Sequence, residues 1–269
     1  MKGASLRHNK CADALLKAGA NVDVKTVRSG RTMLSLAIET PSFPGYRGLI
    51  WTLLHYGANP NIKDRNGDCP ILQLLYGGYK PLEDHRRAAL ALVLEESKYA
   101  VDVNVEPPGT RNSPLHLAVR RSDPWAAGML LAKKASLTTK NGTGHTPFAS
   151  AVNAWTKNMA TDQKEVTMLL LRHGVNPNEE ILEGAPALKT TALHVAIRHA
   201  HLDLVEYLVR YGADPSRVDH EGRDAYAYCA SRQNNGLLDA TLADDIRGIL
   251  TLHGARASWE SDDSENDTG

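Results

Sequence analysis

The 269-residue sequence contains eleven histidines and three cysteines, the side chains most often used to bind metals or to act as nucleophiles. Cys11, Cys69 and Cys229 lie far apart and form no C-x-x-C pair, so the sequence indicates neither a zinc module nor a disulfide framework. His199 and His201 are close together, but no carboxylate or cysteine lies at a matching metal-ligand spacing. We therefore expect no bound metal.

The sequence also lacks the motifs of common catalytic centres. It contains no H-E-x-x-H metalloprotease motif, no G-x-S-x-G nucleophile elbow and no G-x-x-x-x-G-K-[ST] phosphate loop. The run Gly142-Thr143-Gly144 begins like a phosphate-binding loop, but the third glycine of such a motif is missing and a turn explains the run equally well. We expect neither an enzyme nor a cofactor.

Two short phrases recur along the chain and define its organisation. The first is a leucine-like pair, two variable residues and Gly-Ala, as in Leu53-Leu54-His55-Tyr56-Gly57-Ala58. The second is clearest in residues 113–118, Ser-Pro-Leu-His-Leu-Ala, and 191–196, Thr-Ala-Leu-His-Val-Ala, with weaker copies starting at 32, 69, 146 and 224. The second phrase begins 12 or 13 residues after the glycine position of the first in five of six copies. Such regular spacing indicates tandem structural repeats.

This pattern resembles the ankyrin repeat family, whose 33-residue unit carries Thr-Pro-Leu-His-x-Ala and a helix-ending Gly-Ala. The resemblance implies an all-α fold, an ankyrin-repeat solenoid of stacked helix-turn-helix units joined by β-hairpin-like loops. We expect the array to span residues 1–258, as a partial N-terminal unit followed by about six repeats. Residues 259–269 contain five acidic residues and no basic residue, so they are predicted to form a disordered acidic tail.

The residues of one repeat fit two packed helices. Leu193, Ala196 and Ile197 recur at helical spacing, and a second predicted helix over 202–210 presents Leu204, Val205 and Leu208 on one face. No single repeat can bury these faces alone, so repeats must stack. Four units are longer than the family's unit between the capping residue and the glycine, and we place the extra residues in the turn between the two helices.

The links between repeats predict polar hairpins. Asp64 to Gly67 and Asp219 to Gly222 share a D-x-x-G pattern, in which the carboxylate bonds the turn backbone and glycine supplies a positive φ. The hairpins before Ser113 and Thr191 carry Arg111 and Lys189 where glycine is expected, and we predict irregular turns there.

By the same resemblance, His116 and His194 occupy a structural position whose ring bonds the backbone near the hairpin. Cys11 and Cys229 fall on predicted helical faces and are interpreted as small core residues.

Composition and charge indicate which partners and which cellular location to expect. Lys and Arg total 31, as do Asp and Glu, and removal of the acidic tail leaves the array at only +5. The predicted groove also lacks interleaved aromatic residues, so we expect no nucleic-acid binding. There is no signal peptide and no apolar run of membrane-spanning length. We expect an intracellular, cytoplasmic or nuclear monomer that does not enter a membrane.

The resemblance implies a protein–protein interaction module or scaffold that binds a partner segment on its concave face, which consists of hairpin tips and first-helix ends. Eight of the thirty residues at these positions are Arg and three are acidic. Arg pairs bidentately with carboxylates and phosphates, which favours an acidic or phosphorylated partner segment; a random scatter of Arg is the alternative. The predicted partner-binding residues are Arg28, Arg31, Arg65, Asn66, Arg120, Arg121, His145, Arg198, His199, His220 and Arg223.

A second function class stays open, an adaptor or regulatory fragment of a larger protein such as a ubiquitin-ligase substrate receptor. The shortened first unit favours it, whereas the 15 residues after Gly254 are too few and too acidic for a degron-type box.

Overall fold

The computed structural model describes residues 2–39, 45–77, 82–155, 161–183 and 188–252. The predicted acidic tail at 259–269 lies outside these residues, as do parts of three predicted inter-helix insertions. The chain divides into two compact units with the boundary between Thr143 and Gly144. None of the helices in the described ranges is long and apolar enough to cross a bilayer.

The first unit is built from helices and short turns. Its described helices are α1 (Lys2–Lys17), α2 (Met33–Glu39), α3 (Tyr46–His55), α4 (Pro70–Leu75), α5 (Asp84–Glu96), α6 (Pro114–Arg120) and α7 (Pro124–Ala132). The second unit adds one small β-hairpin. Its described elements are α8 (Pro147–Trp155), α9 (Thr161–Arg172), β1 (Ile181–Glu183), β2 (Leu188–Thr190), α10 (Ala192–Arg198), α11 (Leu202–Arg210), α12 (Ala225–Asn234) and α13 (Ala240–Leu252).

Each unit is a stack of helix pairs. In the first unit α2 packs on α3, α4 on α5 and α6 on α7, while the first helices α2, α4 and α6 also pack in sequence. The second helices α1, α3, α5 and α7 form the adjacent layer. In the second unit α8, α10 and α12 form the first-helix layer and α9, α11 and α13 the second. The fold class is therefore the all-α ankyrin solenoid, as predicted.

Local sequence explains where the helices begin and end. The Thr191 hydroxyl accepts from the His194 N–H and Asp224 accepts from the Ala227 N–H, so both side chains cap a first helix. Gly212 follows α11 with φ of 90°, a left-handed conformation that other residues adopt only with strain. The apolar faces predicted for α10 and α11 are buried.

The two turns predicted to be irregular are described only in part. In the longer link before Thr191, β1 and β2 pair antiparallel with Ile181 opposite Thr190, and residues 184–187 between them lie outside the described residues. Before Ser113, Arg111 takes a left-handed φ of 51°, the conformation that glycine supplies in the other turns.

The extra residues of the long repeats lie only partly in the inter-helix turns. Helices α6 and α10 have 7 residues each, and α7 and α11 have 9. Helices α5 and α13 each have 13 residues and α12 has 10, so much of the added length extends helices. Residues 40–44, 78–81 and 156–160 of the predicted insertions lie outside the described residues.

The two cysteines predicted to be core residues differ in their exposure to solvent. Cys229 is fully buried between α12 and α13, as expected. Cys11 is exposed on α1, contrary to the prediction.

One buried carboxylate fastens two stacked second helices. Asp123, which is fully buried at the start of α7, accepts from the Ala126 N–H at 2.9 Å and from the Leu82 N–H at 2.5 Å. The first bond caps α7, and the second fixes the chain that leads into α5. The Arg87 guanidinium lies 3.6 Å from the same carboxylate and balances its charge.

Replacing Asp123 by Ala should lower the free energy of unfolding by about 2–4 kcal/mol, because α7 loses its cap and a buried N–H loses its acceptor. Urea unfolding followed by circular dichroism measures the change. The exposed Asp245 of α13 gives a matched control, since its replacement by Ala should cost under about 0.5 kcal/mol. Equally small shifts in both variants would contradict this role.

Candidate functional site

The predicted partner-binding residues lie at hairpin tips and first-helix ends, and the two units are described separately. We call these positions the tip surface of each unit. The first unit contributes Arg28, Arg31, Arg65, Asn66, Arg120 and Arg121. The second contributes His145, Arg198, His199, His220 and Arg223.

Arg31 is held in place by two carboxylates. Its Nε lies 3.3 Å from Asp64 Oδ2 and its NH1 lies 2.6 Å from Glu39 Oε2. The other Asp64 oxygen accepts from the backbone N–H groups of Asn66 and Asp68, so the buried Asp64 organises its own hairpin and anchors Arg31 from the preceding one. The charge of Arg31 is thus already compensated within the unit.

Arg28, Arg65 and Asn66 are exposed at the tips of the first two hairpins. The Arg65 N–H donates to the Ser29 carbonyl at 3.0 Å, which joins the hairpins edge to edge. Within the described ranges, no carboxylate forms an ion pair with Arg28 or Arg65. These two guanidinium groups therefore project from a hydrogen-bonded backbone with their charge uncompensated.

The structure places Arg121 inside the protein, so its prediction as an exposed binding residue was wrong. Its side chain is 6% exposed and donates from NH1 to the Tyr76 carbonyl at 3.3 Å. Arg86 donates to the same carbonyl at 2.8 Å and to the Leu74 carbonyl at 2.9 Å. Helix α4 ends early and leaves carbonyl groups free, and the two arginines cap them. Burial, and then the nearby Arg86, lower the pKa of Arg121; Arg120 remains partly exposed.

In the second unit, Arg223 is fixed by its own hairpin. It lies 2.8 Å from Asp219 Oδ2 through NH2 and 2.8 Å from Glu221 Oε2 through NH1. Burial alone would raise the pKa of Asp219, but hydrogen bonds from Arg223 and from the Glu221 N–H hold that pKa below its usual value. Asp219 therefore stays ionised and keeps Arg223 in one orientation.

Tyr228 connects the tip surface to the helices of the second unit. Arg198 donates from Nε to the Tyr228 hydroxyl at 2.9 Å, and the Arg223 guanidinium lies over the ring at 4.8 Å. His194 meets the ring edge-on at 5.2 Å, and Arg232 donates to the Arg198 carbonyl at 3.1 Å. Two arginines, Arg198 and Arg223, thus contact one buried tyrosine, and Arg232 binds the backbone of the first of them.

The histidines of this unit have separate environments. His145 Nε2 lies 2.7 Å from the Leu182 carbonyl in β1, so it fixes the hairpin. His199 is exposed and stacks on His201 with ring centroids 6.1 Å apart. His220 is exposed at a hairpin tip.

Sequence reasoning overlooked the residues that orient the arginines. Asp64 and Asp219 were interpreted only as turn-forming residues, although the second oxygen of each also binds an arginine. An Arg close to a D-x-x-G motif was the sequence signal that could have predicted these carboxylate–arginine contacts. No sequence signal pointed to Tyr228, because its role depends on the stacking of neighbouring repeats.

Across residues 2–39, 45–77, 82–155, 161–183 and 188–252 no three His, Cys, Asp or Glu side chains form a metal-binding group.

Comparison with known proteins agrees with this geometry. A family model described as ankyrin repeats (3 copies) matches residues 115–219 and 154–242. In fold, the chain is similar to the crystal structure of the ankyrin repeat domain of Bcl-3, a member of the IkappaB protein family. The TM-score is 0.64 at 24% identity, covering 92% of this chain and 95% of that one.

Two curated relatives show how the repeats occur in longer proteins. The human Neurogenic locus notch homolog protein 4 is 39% identical over 106 residues, which is 39% of this chain and 5% of that protein. The Phosphocholine transferase AnkX of Legionella pneumophila is 24% identical over 222 residues, 81% of this chain and 22% of that protein. The chain therefore spans about a fifth or less of the length of these two relatives.

The environment of His194 agrees with the structural role predicted for it. Nε2 lies 2.9 Å from the Arg223 carbonyl, which can only accept, so Nε2 carries the proton. Nδ1 then accepts from the Thr191 hydroxyl at 2.8 Å. Burial is the largest influence on this ring and lowers the pKa of His194, although the nearby Asp219 opposes it.

The lowered pKa of His194 makes stability depend on pH in a defined direction. Above about pH 6.5 the imidazole is neutral in the folded and unfolded states, and its stabilising contribution is complete. As the pH falls below about 6.5, the unfolded state binds the proton first and that contribution is lost. His194→Gln should therefore flatten the fall in unfolding free energy between about pH 7 and 5.

Urea unfolding over this pH range, combined with NMR titration of the histidines, measures the effect. His220→Gln is the control, because His220 lies at a hairpin tip and not in the buried helix layer that holds His194. A titration of His194 above the usual histidine range would contradict the prediction.

Proposed function

Because the chain is an ankyrin repeat protein, we propose that it is a binding scaffold that uses its tip surfaces to hold a partner protein segment. Ankyrin repeats are generally protein–protein interaction modules, and they typically act as binding scaffolds without catalysis. The more specific proposal is that the partner segment is acidic or phosphorylated. The two function classes, scaffold and fragment of a longer adaptor, share this binding mode.

The observation that carries the proposal is a set of guanidinium groups whose charge the described protein does not neutralise. Arg28, Arg65 and Arg120 lie at least partly exposed, and none of them forms an ion pair within the described ranges. Arg offers several N–H donors in a fixed planar arrangement that matches carboxylate and phosphate groups. An acidic segment would supply the acceptors that these groups lack.

Preorganisation supports the same proposal. The hairpin that carries Arg65 is braced by the buried Asp64 and by the Ser29 carbonyl, so the Arg65 backbone is already fixed before a partner arrives. Arg31 and Arg223 are compensated by carboxylates and act in positioning. A surface that is fixed in advance loses less conformational entropy on binding.

An adaptor within a longer protein is the second candidate. The specific observation in its favour is that the part aligned with this chain is only 22% of the length of the Phosphocholine transferase AnkX and 5% of that of the notch homolog. In such a protein this array would select the partner, and other parts would act on it.

Charge reversal tests the acidic-partner proposal. Proximity labelling with the full chain identifies the partner, and titration calorimetry with the purified partner then gives the affinity. The combined substitutions Arg28→Glu, Arg65→Glu and Arg120→Glu should weaken binding about tenfold or more and reduce its salt dependence.

Lys133→Glu, which reverses one charge at the end of the second helix α7 and away from the tip surface, is the control and should bind like the natural chain. If the triple variant keeps the natural affinity, the acidic-partner proposal fails, although a partner could still bind elsewhere on the array.

A further inference from the structure

A positively charged cleft lies between the first two hairpins of the first unit. It has a volume of about 310 Å³, and its lining residues include Lys25 and Thr26 from the first hairpin and Lys63 and Arg65 from the second. Both walls belong to consecutive hairpins that the structure describes in full. The cleft joins the tip surface at Arg65, but neither lysine was among the predicted binding residues.

The repeat register places the two lysines side by side. Lys25 and Lys63 each lie six residues after the glycine that follows a second helix, Gly19 and Gly57 respectively, so they occupy equivalent positions of successive repeats. Lys25 Nζ donates to the Lys63 carbonyl at 3.1 Å, so the first lysine reaches across to the second hairpin. Like charges at neighbouring positions repel each other, and an anion bound between them would replace that repulsion by attraction.

The carboxylates around the cleft are bound to other groups. Asp64 lines the cleft, but its side chain is only 1% exposed and lies 3.3 Å from Arg31 Nε. Glu106, at the equivalent position of the following repeat, forms an ion pair with Arg111 of its own hairpin at 2.9 Å. In the part of the chain that the structure describes, the two lysines and the arginine of the cleft form no ion pair. Three cationic side chains therefore face the same cleft with their charge uncompensated.

Gly30 gives the Arg65 side chain a defined course along the cleft. A Cβ atom at Gly30 would lie 3.1 Å from Arg65 Cγ and 3.3 Å from the Arg65 nitrogen, so the arginine stem lies directly against the glycine. The Gly30 N–H donates to the Thr26 carbonyl at 2.9 Å, and the Arg65 N–H donates to the Ser29 carbonyl at 3.0 Å. Both walls are thus fixed before a ligand enters, which lowers the entropy lost on binding.

We propose that this cleft binds the phosphate group of a phosphorylated serine or threonine in the partner segment. The proposal rests on the function proposed above and narrows its ligand from an acidic to a phosphorylated side chain. A phosphate monoester carries a charge of about −1.5 to −2 and three strong acceptor oxygens, which match two ammonium groups and one guanidinium group. A carboxylate carries one negative charge and two oxygens, so it would leave part of this cationic charge unmatched.

NMR titration of the full chain tests the site with a small probe. The probe is N-acetyl-phosphoserine amide, and N-acetyl-glutamate amide is its carboxylate counterpart. The phosphoserine probe should shift the backbone resonances of Thr26, Gly30 and Arg65 saturably, with a dissociation constant at least about tenfold lower than that of the glutamate probe. Equal affinity for the two probes, or shifts confined to other residues, would overturn the proposal.

Paired double variants test the location. Lys25→Gln with Lys63→Gln should raise the dissociation constant of the phosphoserine probe about tenfold or more, because two of the three cations are removed. Both lysines are exposed, so the circular dichroism spectrum should not change. Lys98→Gln with Lys133→Gln removes the same charge from two exposed lysines that follow α5 and α7, and this control should bind like the natural chain. Equal weakening in both double variants would indicate a general charge effect and no site in the cleft.

Phosphatase treatment of the partner found by proximity labelling separates this proposal from the broader one. Removal of the phosphate should weaken calorimetric binding to the natural chain about tenfold and have no further effect on the variant with both cleft lysines replaced. If treated and untreated partner bind the natural chain equally, the phosphate proposal fails. The acidic-partner proposal is decided independently, by the triple arginine variant.

Discussion

The constraint on which this structure depends is that no helix pair can bury its apolar faces alone. A first helix of 7 residues, such as α6 or α10, is far too short to be stable by itself in water. It is helical because a second helix covers one face and the adjacent first helices cover others. Stability is therefore shared between nearest neighbours, and every position in the array has the same requirement for a partner on each side.

Buried carboxylates add specific polar contacts to this apolar stacking. Asp123 links the start of α7 to the residues just before α5. Asp64 links its own hairpin to the preceding one through Arg31. Asp219 performs the same turn-forming role and binds Arg223. Since Asp64 and Asp219 each bind both backbone and guanidinium groups, they hold the hairpin tips in a defined conformation. The exposed arginines project from this rigid backbone.

Sequence spacing predicted the repeat class and the helix pairs, because those features depend on residues within one repeat. It failed where the outcome depends on the neighbouring repeat. Arg121 is buried because α4 of the preceding repeat ends early and offers carbonyl groups. The exposure of Cys11 on α1 was not predicted either. The pairing of β1 with β2 in the longer link before Thr191 was also not predicted, because that link departs from the D-x-x-G pattern of the other hairpins.

The shortness of the first helices also bears on how the repeats unfold. A helix of 7 residues that separates from its second helix and from the adjacent first helices cannot remain helical in water. Local opening of one helix pair therefore uncovers apolar faces of its neighbours, so that unfolding within a unit is cooperative.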